Sequence, residues 1–340
     1  MHMNLARRAA LVLAAAGIAL GTAAYASTAS AATSPRLSST SQSVRTLKVA
    51  LVAPSATNDL SWTQTMYSAL ESLKTSQHLK LAVSANEYVT SDAANIIREY
   101  ASQGYNLVIG HGGQYGSIIQ QLAPQFPKVS FAWGAVSSTF DLPNVFAYEA
   151  EANEGGYVQG YMAGMLSKSH VLGVIGPIAT GDDMLYVDGF VAGVRAENKS
   201  NVIHPVYTGS YSDDSLMATA AKTFVSDGAD VLSATTQSSV GALGIARSDK
   251  LPFFASDWSE ASLAPHSVVS SQVYDWQSVL IQMFGAIRSG KLGGATYVID
   301  VGNGGETIDF NSGYRLPARI KAEGEKLIKE ITDGTLTPPQ

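Results

Sequence analysis

Carboxylates and aromatic rings recur just beyond the apolar runs of this chain. Asp59 and Trp62 follow "KVALVAPS", His111 and Tyr115 follow "NLVIG", Trp133 closes "VSFAW", and Asp257 and Trp258 follow "PFFAS". Asp183 lies in "GPIATGDDM", Tyr211 in "YTGSYSDDS", Gln237 after "DVLSATT", and Tyr274 at the end of "SSQVY". Such groups accept hydrogen bonds from hydroxyls or amines and stack on planar molecules, which suits ligand capture. Turnover has no visible apparatus: the sequence contains no G-x-S-x-G elbow, no P-loop and no H-E-x-x-H spacing. "LVIGHGGQYG" fails as a dinucleotide fingerprint because Tyr115 stands where the last glycine is required. The expectation is therefore a binding protein and not an enzyme, with no cofactor and no metal.

Two of these residues have alternative readings. Trp62 continues an apolar stripe with Met66, Ala69, Leu70 and Leu73, so it is either the first core residue of a helix or a stacking platform at a cleft. Asp59 either caps that helix, as Ser61 could, or faces a ligand. Asp257 has no structural duty visible from the sequence, which makes it the stronger ligand-facing carboxylate.

The elements that position these residues alternate. From Lys48 onward, short β-rich runs are separated by helical stretches, the pattern of parallel βαβ units. Runs at "KVALVAP", "LKLAVSA", "NLVIGHG", "VSFAWG" and "NVFAYEA" form one set; "VLGVIGP", "NVIHPVY", "DVLSATT", "PFFASD" and "SVVSSQVY" form a second. The sets superpose at an offset of about 123 residues, which predicts two similar lobes. It sets Asp182, Asp183, Leu185 and Tyr186 opposite Asp59 and Trp62. In doubly wound sheets ligands bind beyond the carboxyl ends of the strands, so facing lobes would pool those loops in one cleft. Residues 47–150 plus about 273–300 are assigned to lobe 1, and 151–272 plus about 301–340 to lobe 2. Chain crossings are expected near 145–155, 267–275 and Asp300, forming a hinge several strands thick. Glycines from Gly155 to Gly164 are expected to let a helix pack closely.

With 46% hydrophobic and 15% charged residues the chain can bury a substantial core, and a net charge of −6 without a basic run argues against nucleic acid as a partner. Residues 1–32 read as an export signal, with a basic start, an apolar stretch and a small-residue end at Ala29–Ala31; residues 33–46 read as a Ser/Thr/Pro-rich tether. With no cysteine there is no disulfide and no site for a lipid anchor, so the exported protein is expected to be lipid-free, outside the cytoplasm, and monomeric.

Asn144–Ile203, "NVFAYEAEANEGGYVQGYMAGMLSKSHVLGVIGPIATGDDMLYVDGFVAGVRAENKSNVI", resembles the basic membrane protein family of ABC-transporter substrate-binding proteins, the purine nucleoside receptor group. The likeness extends from Lys48 to "EGEKLIKEITDGTLTPP". It implies an α/β type I periplasmic-binding-protein fold, two doubly wound parallel-sheet lobes joined by a multi-strand hinge, that captures a small solute for an ABC permease. The family motif D-x-S-F-N, whose aromatic stacks on a base, matches Asp59 to Thr63 with Trp62 as the aromatic; Thr63 replaces the Asn, leaving Gln64 as a substitute. Tyr211 corresponds to a second aromatic, and "SDWSEASLAP" carries the ribose-binding Asp onto Asp257. Tyr274 stands where relatives have a ribose-contacting Lys, and the acidic residue after the fourth strand is missing at "FAWGAV". The implied ligand is a purine nucleoside, with a free base or another small planar or polar metabolite left open, and a ligand-sensing receptor module or a nucleoside-processing enzyme as rival roles.

Overall fold

The computed structural model describes residues 45–340; the expected export signal and nearly all of the tether lie outside them. The first sheet is built from β1 (Leu47–Val52), β2 (Leu79–Ser84), β3 (Leu107–Gly110), β4 (Ser130–Gly134), β5 (Val145–Ala150) and β11 (Ala295–Ile299). The second takes β6 (Val171–Gly176), β7 (Val202–Tyr207), β8 (Val231–Ala234), β9 (Phe253–Ala255), β10 (Val268–Tyr274) and β12 (Glu306–Phe310). Their orders are β11-β5-β4-β3-β1-β2 and β12-β10-β9-β8-β6-β7, so the ten strands common to both halves repeat one plan. Every pairing is parallel except β12, which runs antiparallel to β10.

Helices cover the sheets, which is why inner strands such as "LVIG" and "VLSA" are apolar on both faces. The edge strand β7 accommodates Pro205, which a central strand would not. The helices are α1 (Trp62–Leu73), α2 (Thr90–Ser102), α3 (Gly116–Leu122), α4 (Asn153–Leu166), α5 (Gly181–Glu197), α6 (Asp214–Ser226), α7 (Ser239–Asp249), α8 (Gln277–Arg288) and α9 (Ala318–Thr332). Helices α4 and α5 touch through glycines: a Cβ on Gly160 would lie 2.1 Å from the Phe190 carbonyl oxygen, and one on Gly193 2.1 Å from that of Tyr157.

Strands β11 and β12 fall in the stretch "GGATYVIDVGNGGETIDF" and were not among the runs expected from the sequence. Each is five residues long and bordered by glycines, too short for alternation to stand out. The chain passes from one sheet's layer to the other's after β5, after β10 and between β11 and β12. Trp276, fully buried at the second passage, donates from Nε1 to Thr65 Oγ1 of α1 at 2.9 Å.

Candidate functional site

A cavity of about 400 Å³ lies where the loops following β1, β2, β3, β4, β6, β7, β8 and β9 converge, each beyond the carboxyl end of its strand. Trp62 and Tyr88 face it from the first lobe, and Asp182, Asp183, Tyr211, Gln237 and Asp257 from the second.

Trp62 is both packed and cavity-lining. It is the first residue of α1, and its ring lies parallel to His111 at 4.4 Å and edge-on to Trp276 at 5.3 Å, while it also lines the cavity. Its Nε1 donates to the His111 carbonyl at 3.2 Å, and His111 Nε2 lies 2.9 Å from the Trp62 carbonyl. A carbonyl only accepts, so Nε2 carries the proton and Nδ1 accepts from the Tyr148 hydroxyl at 2.7 Å. Burial pushes the His111 pKa down to about 3, so the ring is a neutral buttress. The Trp62 ring is thus clamped from behind.

Asp59 is absorbed by its own loop. Oδ1 accepts from the backbone N–H groups of Ser61 and Gln64, both at 3.0 Å; Oδ2 accepts from Thr63 N at 3.2 Å and from Ser55 Oγ. It therefore caps α1 from two residues upstream of the cap position. Gln64 braces the same turn, its Oε1 accepting from Leu60 N at 2.8 Å.

Four other expected residues also stand off the cavity wall. Tyr115 is fully buried and donates to the Glu87 carbonyl at 2.8 Å. Trp133 stacks on Phe140 at 4.5 Å and rests on Gly116, where a Cβ would lie 2.2 Å from the indole. Tyr274 is buried edge-on to Trp62 at 6.2 Å, its hydroxyl accepting from Gln272 Nε2 at 3.3 Å. Trp258 is half-buried and does not line the cavity. His111, the fifth, sits behind Trp62 as described.

The carboxylates of the second lobe have a different character. Gly181 adopts φ +57°, a left-handed conformation that glycine takes without strain, and the helix it opens sets Asp182 and Asp183 in its first turn. Asp183 Oδ1 accepts from Thr235 Oγ1 at 3.1 Å. Asp257, at φ +64°, is 2% exposed; Oδ2 accepts from Ser61 Oγ at 2.5 Å, linking the lobes, while Oδ1 has no partner. Ala135 and Thr236, both on the cavity wall, also have positive φ, so strained backbone gathers at this cleft. Burial raises the Asp182 pKa to about 8, with the charge of Asp257 adding to it, and raises Asp257 to about 6; Asp183 is pushed well above the carboxylate range.

Asp182 and Tyr88 line the cavity without having been singled out as site residues. The offset repeat that points to Asp183 points equally to Asp182, and Tyr88 sits in the loop after a first-set strand, where the strand-end rule applies.

The sequence pattern of the Bmp family, PnrA-like ABC transporter substrate-binding proteins, matches residues 46–333. The chain belongs to this family. Among similar proteins, a purine-binding protein of Brucella abortus is 25% identical over 86% of this chain and 83% of its own length. An ABC transporter nucleoside-binding protein, BmpA, of Lactococcus lactis is 26% identical over 89% of this chain and 92% of its own. The transcriptional activator protein med of Bacillus subtilis is 25% identical over 54% of this chain, a match that spans 57% of the activator. An ABC transporter solute-binding protein from Conexibacter woesei superposes with a TM-score of 0.72 at 25% identity, covering 86% of this chain and 98% of that one. The architecture is the periplasmic-binding-protein fold, and the protein is a substrate-binding component of an ABC transporter by family.

Proposed function

We propose that the protein works outside the cytoplasm, exported without a lipid anchor, and holds a purine nucleoside or a related planar metabolite in the interlobe cleft for delivery to an ABC permease as a monomer. The observation that carries this reading is one cavity lined by an aromatic ring from each lobe, Trp62 and Tyr211, with the carboxylates alongside. Its volume of about 400 Å³ falls in the range of small-molecule sites. Stacking on the buttressed indole favours a flat ring system, and Asp183, Gln237 and Asp257 satisfy the ligand's polar edge. The names of the Brucella and Lactococcus relatives support a purine or nucleoside. Among the described residues the cavity wall carries no Ser, Cys, Lys or His, which supports holding the ligand over transforming it.

Mass spectrometry of small molecules released from the purified protein, followed by a thermal-shift screen of purines, nucleosides and sugars, tests the reading. A purine or nucleoside that raises the melting temperature is expected. A sugar as the only released species, or liberation of free base during incubation with nucleosides, overturns it. The match to a transcriptional activator favours a second reading, a ligand-sensing module. Failure of the loaded protein to associate with any ATP-driven permease, with retained ligand binding, would favour sensing.

A further inference from the structure

Asp182, Asp183 and Asp257 line the cavity, and among the described residues no Lys, Arg or His does. All three are buried, at 8%, 7% and 2% exposure. Asp257 Oδ1 is buried on this wall without a hydrogen-bond partner, although Oδ2 is held by Ser61. An orphaned carboxylate oxygen beside a cavity leaves an acceptor unsatisfied, and desolvation makes that costly. The missing partner is a donor, and the missing charge is positive.

The surroundings offer no positive charge, and the side-chain donors that act on Asp257 are the hydroxyls of Ser61 and Ser256. The charged groups acting on these three are Asp59, Glu149 and Glu260, all acidic. The remaining titratable neighbours are the phenols of Tyr186, Tyr207, Tyr211 and Tyr274. His111, on the far side of Trp62, is uncharged.

We propose that the cleft selects a positively charged planar solute, a ring compound bearing an amine or amidine, over its neutral and anionic counterparts. The proposal rests on the cleft being the ligand site, but not on the ligand being a purine. A cation supplies the countercharge that the protein withholds, and its N–H groups offer the carboxyl groups on the cavity wall charge-assisted hydrogen bonds. The rings of Trp62, Tyr88 and Tyr211 accept a cation on their faces, whereas an anion meets three carboxyl groups and no positive partner. Without a countercharge these carboxylates hold protons that water-exposed ones lose, Asp182 with a pKa of about 8 and Asp257 of about 6. Binding a cation drives those protons off. Affinity for the cation therefore rises with pH across the interval between those values, while a neutral analogue gains nothing.

Titration calorimetry with two matched sets tests this: benzamidine against benzamide, and 5′-amino-5′-deoxyadenosine against adenosine and adenosine 5′-monophosphate, at about pH 6 and about pH 8. The charged member is expected to bind about tenfold tighter than its neutral partner, with protons released and a wider gap at the higher pH, and the phosphate worst. Asp182→Asn, with folding checked by circular dichroism, is expected to shrink the gap severalfold, and Asp257→Asn to do the same by removing its negative charge. Equal or tighter binding of the neutral members, or binding of neither member of the benzamidine pair, overturns the proposal. A benzamidine preference with no purine bound retires the purine reading and leaves the charge selection standing; adenosine bound without any advantage for its amino analogue does the reverse.

Discussion

The turns that follow β1 and β6 lead from the first strand of each lobe into a helix, and both carry acidic residues, yet they treat them oppositely. Asp59 receives three backbone N–H groups and a serine hydroxyl. Asp182 and Asp183 share one hydrogen bond from another residue, that of Thr235. The first carboxylate shapes its loop; the second pair faces the cavity with capacity to spare. Position at a strand end is common to both, so what separates a structural acid from a cavity-facing one is whether the local backbone has already used its oxygens.

The largest effect expected from breaking this contrast is on folding. Asp59→Ala removes a cap and leaves several N–H groups of the turn unpartnered, and we expect a loss of about 2–4 kcal/mol in urea unfolding. Asp182→Asn should go the other way, gaining about 1 kcal/mol or more at neutral pH. The sign follows from linkage. The Asp182 pKa is raised in the folded protein to about 8, so its contribution is fully present below the unfolded value and is lost as pH rises through the folded one. Wild-type stability should fall from about pH 4 to about pH 8, and the Asn variant should show a shallower decline. A destabilised Asp182→Asn variant at neutral pH would put Asp182 in the same class as Asp59.

Trp62 belongs to the first turn but serves the cleft, so its truncation should register in both measurements. Loss of stacking should weaken ligand binding by about 1–3 kcal/mol, as for bases stacked on aromatic side chains. Loss of the contacts with His111 and Trp276 and of the Nε1 hydrogen bond should also lower stability, by about 2–4 kcal/mol. Trp62→Phe separates the two, keeping a stacking face while losing the donor. Unchanged affinity in Trp62→Ala would leave the ring a core residue alone.

Much of this was legible in the sequence because apolar runs and their spacing report the sheets directly. The ten strands read from the sequence are present, and strand-end logic brings Trp62, Asp183, Tyr211, Gln237 and Asp257 to one cavity. What the sequence could not convey is where a side chain points once its strand ends. His111 and Tyr115 follow β3 as closely as Gly113 and Gln114 do, but their rings turn inward, one behind Trp62 and one into the core, and the glycine-linked segment between them lines the cavity. Gln64, read as a replacement for a base-contacting Asn, is drawn back by the N–H of Leu60, a residue at φ +56° whose conformation no periodicity reveals.

The smallest expected effects come from the two serines that serve these acids, and they test the contrast most finely. Ser55 Oγ donates to Asp59 within one loop, while Ser61 Oγ donates to Asp257 across 196 residues of sequence, from the first lobe to the second. Ser55→Ala leaves Asp59 with its three N–H partners, so stability should fall by about 0.5–1.5 kcal/mol and ligand affinity should hold. Ser61→Ala strips Asp257 of the hydroxyl that reaches it from the first lobe, beside an oxygen that is already orphaned. Its stability loss should be of similar size, but the carboxylate then holds its proton to higher pH. Affinity for the ligand should drop by about 3- to 10-fold at neutral pH and recover as pH is raised and Asp257 ionises. Unfolding curves and calorimetric titrations on the two variants give the comparison. If both serines change affinity alike, or neither does, the division between a carboxylate spent on its loop and one kept for the ligand does not hold for this pair.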